Sequence, residues 1–189
     1  MSHVLNKRIR SFFAVDLNQG DSQRVAALMA PLKKLPNPSI NWLPLASLHI
    51  TLCFLGDIPL SLLPTLTATA EQQLSGKPAF SLTLNTLQYF PIATKPKVIA
   101  LLPQPHRLLS VLAQLTRQSA SGCGLVTDTR PYRPHLSLAR IKASRYPLPP
   151  LAAITPISDI AINRVTLFQS AGALGYIPLA RFALIDQYP

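Results

Sequence analysis

Two short motifs of the same kind constrain this sequence more than any other feature. They are His-Ile-Thr-Leu at residues 49–52 and His-Leu-Ser-Leu at residues 135–138. The apolar and β-branched residues around both motifs are typical of β-strands. Because strand side chains alternate between faces, each histidine shares a face with the hydroxyl residue of its own motif. The motifs lie 86 positions apart (135 − 49) in a chain of 189 residues, which predicts two similar lobes that each contribute one histidine.

The length and the hydropathy of the chain indicate a single globular domain. A chain of 189 residues can bury a core of its own, and a hydrophobic fraction of 48% excludes an intrinsically disordered protein. We therefore expect residues 1–189 to form one domain, with residues 1–8 as a flexible tail. No apolar run reaches the roughly 18 residues of a membrane span, and the N-terminus lacks the apolar core of a signal peptide.

The cysteine content favours a reducing compartment. Cys53 and Cys123 are the only cysteines, too few for a disulfide framework or a zinc site of paired cysteines. Together with the absence of a leader, this predicts a cytoplasmic protein. We expect it to be a monomer that does not bind membranes.

The charge of the chain points to a polyanionic partner. Eighteen lysines and arginines against seven acidic residues give a net charge of +11. Such an excess favours nucleic acid as the partner, although the same charge also serves plain solubility. The basic residues are scattered along the sequence, so charge alone does not locate a binding site.

The order of the predicted elements indicates an α+β fold with mainly antiparallel strands. Strands and helices do not alternate as they do in repeated βαβ units, because several strands follow one another directly. The apolar patterns predict strands over 9–16, 47–56, 80–85, 98–102, 132–140, 157–162, 164–170 and 176–185, and helices starting near residues 21, 58 and 106.

The paired motifs favour metal-free acid–base chemistry. One strand histidine alone is more often structural, but two in matching motifs are hard to explain by packing. A zinc site needs more ligands than two histidines, and no acidic residue or cysteine lies at a ligand-like spacing from either. The sequence also lacks the Gly-x-Ser-x-Gly elbow of a serine nucleophile. Two imidazoles can take a proton from water and return one to a leaving oxygen, so we predict His49 and His135 as catalytic residues.

Three further residues complete the predicted site. The hydroxyls of Thr51 and Ser137 would donate hydrogen bonds to phosphate oxygens, and Arg140 would stabilise the charge of a pentavalent phosphate transition state. Arg140 lies five residues after His135, so strict alternation places it on the opposite face of the strand. It reaches the site only if a strand end or a β-bulge intervenes; otherwise Arg140 is a surface charge.

These residues resemble those of a known family, the 2H phosphoesterases. The resemblance is to the RNA 2′,3′-cyclic phosphodiesterases within that family, which are also called 2′-5′ RNA ligases. Ser137 stands where threonine is commoner and keeps the hydroxyl. The similarity covers nearly the whole chain, with the quoted segments at 10–15, 42–56, 133–140, Ser170 and 176–179.

The resemblance implies both a fold and a reaction. The implied fold has two pseudo-symmetric lobes with mainly antiparallel sheets facing a central cleft, helices on the outside, and His49 and His135 facing across the cleft. The implied substrate is an RNA end with a 2′,3′-cyclic phosphate, which is hydrolysed to a 2′-phosphate without a metal or another cofactor. Joining such an end to a 5′-hydroxyl would be a reversible 2′-5′ RNA ligation.

Two alternatives to this reaction stay open at the level of sequence. The first is a non-catalytic RNA-binding module with the same fold, against which the two intact motifs argue. The second is a cyclic phosphodiesterase that acts on a small nucleotide such as ADP-ribose 1″,2″-cyclic phosphate.

Overall fold

The computed structural model describes residues 7–34, 37–142 and 147–186. None of the helices in these ranges is both long and apolar enough to span a membrane. Short 3-10 helices occupy Leu45–Ser47, Leu60–Leu62 and Gly172–Leu174. The other elements are, in chain order, β1 (Arg8–Asp16), α1 (Gln19–Lys33), β2 (Ile40–Trp42), β3 (His49–Pro59), α2 (Leu63–Leu74), β4 (Phe80–Phe90), β5 (Val98–Pro103), α3 (Arg107–Gly122), β6 (Leu136–Ile141), β7 (Ile157–Ile162), β8 (Arg164–Ser170) and β9 (Tyr176–Ala183).

The nine strands form one curled sheet. Their order is β7-β4-β5-β6-β3-β1-β8-β9, with β2 paired to β6 in addition. Every pairing between these strands is antiparallel. The predicted α+β class with mainly antiparallel strands is therefore confirmed.

The sheet consists of two four-stranded halves that meet at a narrow joint. Strand β3 pairs with β6 only between Ile50 and Leu136, which we call the seam pair. Beyond this point β6 pairs with strand β2 instead of β3. The halves β7-β4-β5-β6 and β3-β1-β8-β9 correspond to the two predicted lobes, and the seam pair joins them into one sheet.

All three helices contribute to the hydrophobic core that covers one face of the sheet. Helix α3 packs on β3 and on α2, and α1 packs against β7. The buried residues of α3 follow the stripe expected for an amphipathic helix. They are Leu109, Leu112, Ala113, Thr116, Ser119 and Ala120. The helices therefore lie outside, as predicted, and leave the other face of the joint open to ligands.

The N-terminal boundary differs from the prediction. Strand β1 begins at Arg8, which pairs with Pro59, and the Lys7 carbonyl accepts a hydrogen bond from the Leu60 amide at 2.8 Å. Arg8 thus belongs to the sheet, because β3 extends far enough to pair with it, and Lys7 is bonded to the residue that follows β3. The rest of the expected tail, residues 1–6, lies outside the described residues.

Strand β3 is longer than the sequence suggested. The Gly56-Asp57 dipeptide indicates a turn, yet the strand continues to Pro59. The register against β1 shifts at this point and leaves Leu55 without a partner, and Gly56 has a φ of +71°. Glycine adopts this left-handed conformation without steric cost, so the dipeptide accommodates a β-bulge inside the strand.

The seam pair predicts a stability effect that can be measured. Ile50 is 1% exposed and belongs to the core. Replacing it by alanine removes buried methyl groups where the two motif strands pair. We expect Ile50→Ala to lower the free energy of unfolding by about 2–5 kcal/mol. Urea denaturation followed by circular dichroism measures this change.

Val126 supplies the control for this measurement, since it is 94% exposed. Val126→Ala should change the unfolding free energy by less than about 0.5 kcal/mol. A loss below about 1 kcal/mol in Ile50→Ala would show that the joint does not depend on this packing.

Candidate active site

The two motifs meet at the seam pair. Ile50 pairs with Leu136 in an antiparallel register. One residue further along in each direction, this register places His49 opposite Ser137 and Thr51 opposite His135. The seam pair points into the core, so these four side chains all point to the open face of the sheet. An approximate two-fold axis at the seam pair therefore relates one motif to the other.

A β-bulge lies at the last residue of each motif. In β3 the register against β1 leaves Leu52 without a partner, and in β6 the register against β5 leaves Leu138 without one. Each bulge adds a residue, so two successive side chains point into the core before alternation resumes. Phe54 and Arg140 consequently return to the open face, and both are exposed.

Arg140 thus lies on the same face as the histidines. The bulge that the sequence required for this placement is present in β6. The Arg140 guanidinium donates a hydrogen bond to the Tyr176 hydroxyl at 3.1 Å, and none of the ion pairs among the described residues involves it. Its positive charge is therefore free to bind an anion.

Both imidazoles are oriented by the same kind of hydrogen bond. Nδ1 of His49 lies 2.8 Å from the Ser47 carbonyl oxygen, and Nδ1 of His135 lies 2.8 Å from the Arg133 carbonyl oxygen. Because a carbonyl oxygen only accepts, Nδ1 carries the proton in each neutral ring. Nε2 is left as the atom that accepts or donates a proton towards a ligand.

Aromatic rings hold both imidazoles in place. His49 packs against the Phe12 ring, with centroids 4.9 Å apart, and forms a T-shaped contact with the Tyr176 ring, also at 4.9 Å. His135 stacks on Phe90 at 4.1 Å. Sequence reasoning did not assign these three aromatic residues to the site. Phe12 and Tyr176 lie in segments that resemble the family, and this resemblance could have indicated them as site residues.

Burial lowers the pKa of both histidines below the ordinary value of 6.5. The positive charges of His135 and Arg140 lower the pKa of His49 as well, and the Arg133 charge acts in the same direction on His135. The carboxylate of Asp16, which pairs with His49 in the β1–β3 register, opposes these effects. Both rings are therefore mainly neutral at pH 7.

The Asp16 carboxylate is itself held in position. Arg164 binds it at 2.6 Å and the Thr166 hydroxyl donates to it at 2.9 Å. These contacts leave Asp16 as a fixed negative charge on the His49 side of the site. Neither the ion pair nor the nearby charge was evident from the sequence, since the partners lie about 150 residues apart.

Two cavities open beside the motifs, one for each histidine. Thr51 and His135 line a cavity of about 470 Å³. His49 lines a second cavity of about 460 Å³, together with Asp16 and Tyr176. Both volumes fall in the range of about 300–1,000 Å³ that is usual for small-molecule sites. The site therefore has two sides, with the motif residues between them.

The described part of the chain lacks a cluster of metal ligands. No group of three or more His, Cys, Asp or Glu side chains in these ranges is placed to hold a metal ion. Cys53 and Cys123 are free thiols, and burial raises the pKa of Cys53 to about 11. The thiol next to the first motif is thus protonated at neutral pH.

Comparison with known proteins gives consistent matches over most of the chain. A family model described as the 2′-5′ RNA ligase superfamily matches residues 16–172, which include both motifs. The RNA 2′,3′-cyclic phosphodiesterase of Escherichia coli (strain K12) is 30% identical over 185 residues, or 93% of this chain and 96% of that protein. The Bacillus subtilis (strain 168) protein of the same name is 31% identical over 99 residues, or 52% of this chain and 54% of that protein.

Solved structures agree with the sequence matches. The crystal structure of E. coli LigT in its apo form superposes with a TM-score of 0.74 at 30% identity and covers 95% of this chain and 99% of that one. Its complex with 3′-AMP gives a TM-score of 0.75 at 30% identity, with coverage of 94% and 99%. The TT0787 protein of Thermus thermophilus gives 0.73 at 26% identity, with coverage of 95% and 100%.

The electrostatics of the site predict how His49 titrates in variants. Replacing Arg140 by glutamine removes a positive neighbour and should raise the pKa of His49, whereas Asp16→Asn removes a negative neighbour and should lower it. NMR titration of the imidazole resonances measures both changes. Lys33→Gln, at the exposed end of α1, is the charge-matched control and should leave this titration unchanged. An unchanged His49 pKa in Arg140→Gln would mean that the guanidinium does not act on this imidazole.

Proposed function

This chain belongs to the 2′-5′ RNA ligase superfamily, and from this premise we propose that it hydrolyses RNA-terminal 2′,3′-cyclic phosphate to a 2′-phosphate. The observation that supports the proposal is the arrangement of His49 and His135 about the seam pair. Both rings present a free Nε2 to the same face of the sheet, where the unpaired charge of Arg140 also lies. The names of the curated relatives support the choice of substrate.

In the proposed mechanism the two histidines divide the proton transfers. Neutral Nε2 of one histidine takes a proton from water as the water oxygen attacks phosphorus. The bond from phosphorus to the 3′ oxygen breaks, and protonated Nε2 of the other histidine gives its proton to that oxygen. The product carries a 2′-phosphate and a 3′-hydroxyl. Attacking and leaving oxygens lie roughly in line in such a displacement, which suits one imidazole on each side of the phosphate.

The remaining predicted residues would stabilise the phosphate. Arg140 has only the uncharged Tyr176 hydroxyl as a side-chain partner, so its charge would bind the non-bridging oxygens as negative charge develops on them. Thr51 and Ser137 flank the seam pair on the same face. Their hydroxyls would donate to the same oxygens, one from each half of the sheet.

The same site would also carry out ligation. A 5′-hydroxyl in the place of water would attack the cyclic phosphate and form a 2′-5′ linkage, with the same proton transfers. The RNA partner is further supported by the net charge of +11. The monomeric state and the cytoplasmic location stay predictions from the sequence.

Histidine substitutions test the proposed mechanism. His49→Ala and His135→Ala should each lower kcat by about 10² or more on an oligonucleotide with a 2′,3′-cyclic phosphate end, because one general acid or base contributes that much. The double variant should lose far less than the product of the two effects, since the residues act as a unit. Chromatography of the product identifies the 2′-phosphate, and ADP-ribose 1″,2″-cyclic phosphate serves as the comparison substrate. Near wild-type turnover in either single variant would rule out this pair.

The pH dependence follows from the two lowered pKa values. The base must be neutral, so the rate falls as the pH drops below its pKa; the acid must be protonated, so the rate falls as the pH rises above its pKa. Burial lowers both values, so the kcat/KM profile of the free enzyme should be a bell with its maximum below pH 6.5. A bound anionic phosphate raises both values, and the maximum of kcat should therefore lie at a higher pH than that of kcat/KM. Both profiles are measured from initial rates over a series of buffers, and a kcat/KM maximum well above neutral pH would contradict the assignment.

Chelation separates this mechanism from a metal-dependent one. Activity should survive prolonged incubation with EDTA and should not increase on addition of zinc, manganese or magnesium, since two imidazoles supply both proton transfers. Initial rates before and after dialysis provide the measurement. If chelation abolished turnover and one metal restored it, His49 and His135 would have to be interpreted as metal ligands.

A further inference from the structure

We propose that the RNA chain 5′ of the reacting nucleotide lies in the cavity beside His135, where Arg117 and Arg133 bind its phosphodiester. The inference rests on the proposed function, because it assigns a direction to the same substrate across the cleft. It makes the cavity beside His135 the binding site for the body of the RNA and leaves the cavity beside His49 for the attacking water, since the leaving 3′ oxygen stays on the RNA.

The two cavities differ in charge. The cavity beside His135 is lined by three arginines and one aspartate, and the cavity beside His49 by one arginine and one aspartate. Asp128 is paired with Arg130, and Asp16 is paired with Arg164. Two arginines without an ion pair among the described residues therefore line the first cavity, and one lines the second. An RNA end is equally asymmetric about its cyclic phosphate. In hydrolysis the nucleotide chain carries one negative charge per phosphodiester, while the attacking water on the other side is neutral. Charge complementarity therefore places the chain on the His135 side.

Two of the three arginines are free for this role. Arg130 forms an ion pair with Asp128, so its charge is already compensated. Arg117 and Arg133 take part in none of the ion pairs among the described residues. Arg117 is half-buried on α3, and the nearby carboxylate of Asp128 is already paired with Arg130. A phosphodiester in the cavity would supply a negative charge that Arg117 does not have to share.

Arg133 is coupled directly to the neighbouring imidazole. Its carbonyl oxygen binds Nδ1 of His135, and its guanidinium lies 4.5 Å from the centroid of the Phe90 ring on which His135 stacks. The side chain is held further by a hydrogen bond to the Pro91 carbonyl oxygen at 3.0 Å. A phosphodiester bound by Arg133 would thus lie at a set distance from His135, which would align the cyclic phosphate for reaction.

The pseudo-two-fold axis adds a surface for a base in the same cavity. Phe54 occupies the position in β3 that Arg140 occupies in β6, 86 residues later (140 − 54), and it lines the cavity beside His135. Its ring is 42% exposed, with the Arg10 guanidinium 4.7 Å from its centroid. An exposed ring beside cationic groups is a typical platform for base stacking in single-stranded RNA. The site thus offers both a charge for the phosphodiester and a ring for the base.

The experiment compares two substrates that share the reacting group. One is a 2′,3′-cyclic mononucleotide, and the other is a tetranucleotide that ends in a 2′,3′-cyclic phosphate. We expect Arg117→Gln and Arg133→Gln each to reduce the ratio of kcat/KM for the tetranucleotide to that for the mononucleotide by about tenfold or more, the effect of one charge-assisted hydrogen bond. Lys33→Gln removes a charge outside both cavities and should leave the ratio unchanged.

Salt dependence provides a second readout. The slope of log kcat/KM for the tetranucleotide against log salt should become shallower by about 0.7 for each lost phosphate contact. Arg117→Lys keeps the charge at a half-buried position and should retain part of the preference, and thermal melting checks that each variant is folded. An unchanged ratio, or equal losses on both substrates, would overturn the inference while leaving the proposed hydrolysis intact.

A failure of the proposed function would look different. The wild-type chain would then turn over neither substrate. Fluorescence anisotropy with a labelled tetranucleotide that lacks the cyclic phosphate would still measure RNA binding to the cavity beside His135. Weaker binding in Arg117→Gln and Arg133→Gln than in Lys33→Gln supports the RNA site. Equal binding in all three variants overturns it.

Discussion

The packing of Ile50 against Leu136 is the interaction on which the arrangement of the site depends. It is the only pairing of β3 with β6, so it alone joins these two motif strands within the described residues. Both side chains are buried under the helices, and alternation therefore directs the flanking histidine and hydroxyl side chains to the open face. One apolar contact thus sets the position of each motif relative to the other.

The repeated β-bulge gives the two halves the same backbone and allows different chemistry on each. It returns the fifth residue after each histidine to the open face, where β6 carries Arg140 and β3 carries Phe54. A charge serves to bind a phosphate, whereas an exposed ring serves to stack on a base. The proposed orientation of the RNA follows from this difference and from the unequal charge of the two cavities.

The electrostatics of the site suit a substrate that brings its own negative charge. Burial and neighbouring positive charges hold both histidine pKa values below 6.5 in the unliganded protein. A bound phosphate would reverse part of this effect and favour the protonated form that one histidine needs. The uncompensated arginines near the cleft would therefore attract the substrate as well as stabilise its reaction.

Local patterns along the chain were enough to predict the α+β class, the shared face of histidine and hydroxyl in each motif strand, and the family, because these depend on local alternation and on residues in the motifs. The seam pair and the bulges that bring Arg140 to the histidines are visible only in the folded chain. The same holds for the rings of Phe12, Phe90 and Tyr176 that hold the imidazoles. Strand register and bulges arise from pairing between distant segments, and a pattern read along one segment carries no information about its partner. For the same reason the strand break expected at Gly56 became a bulge: pairing with β1 continues to Pro59 and outweighs the local turn preference.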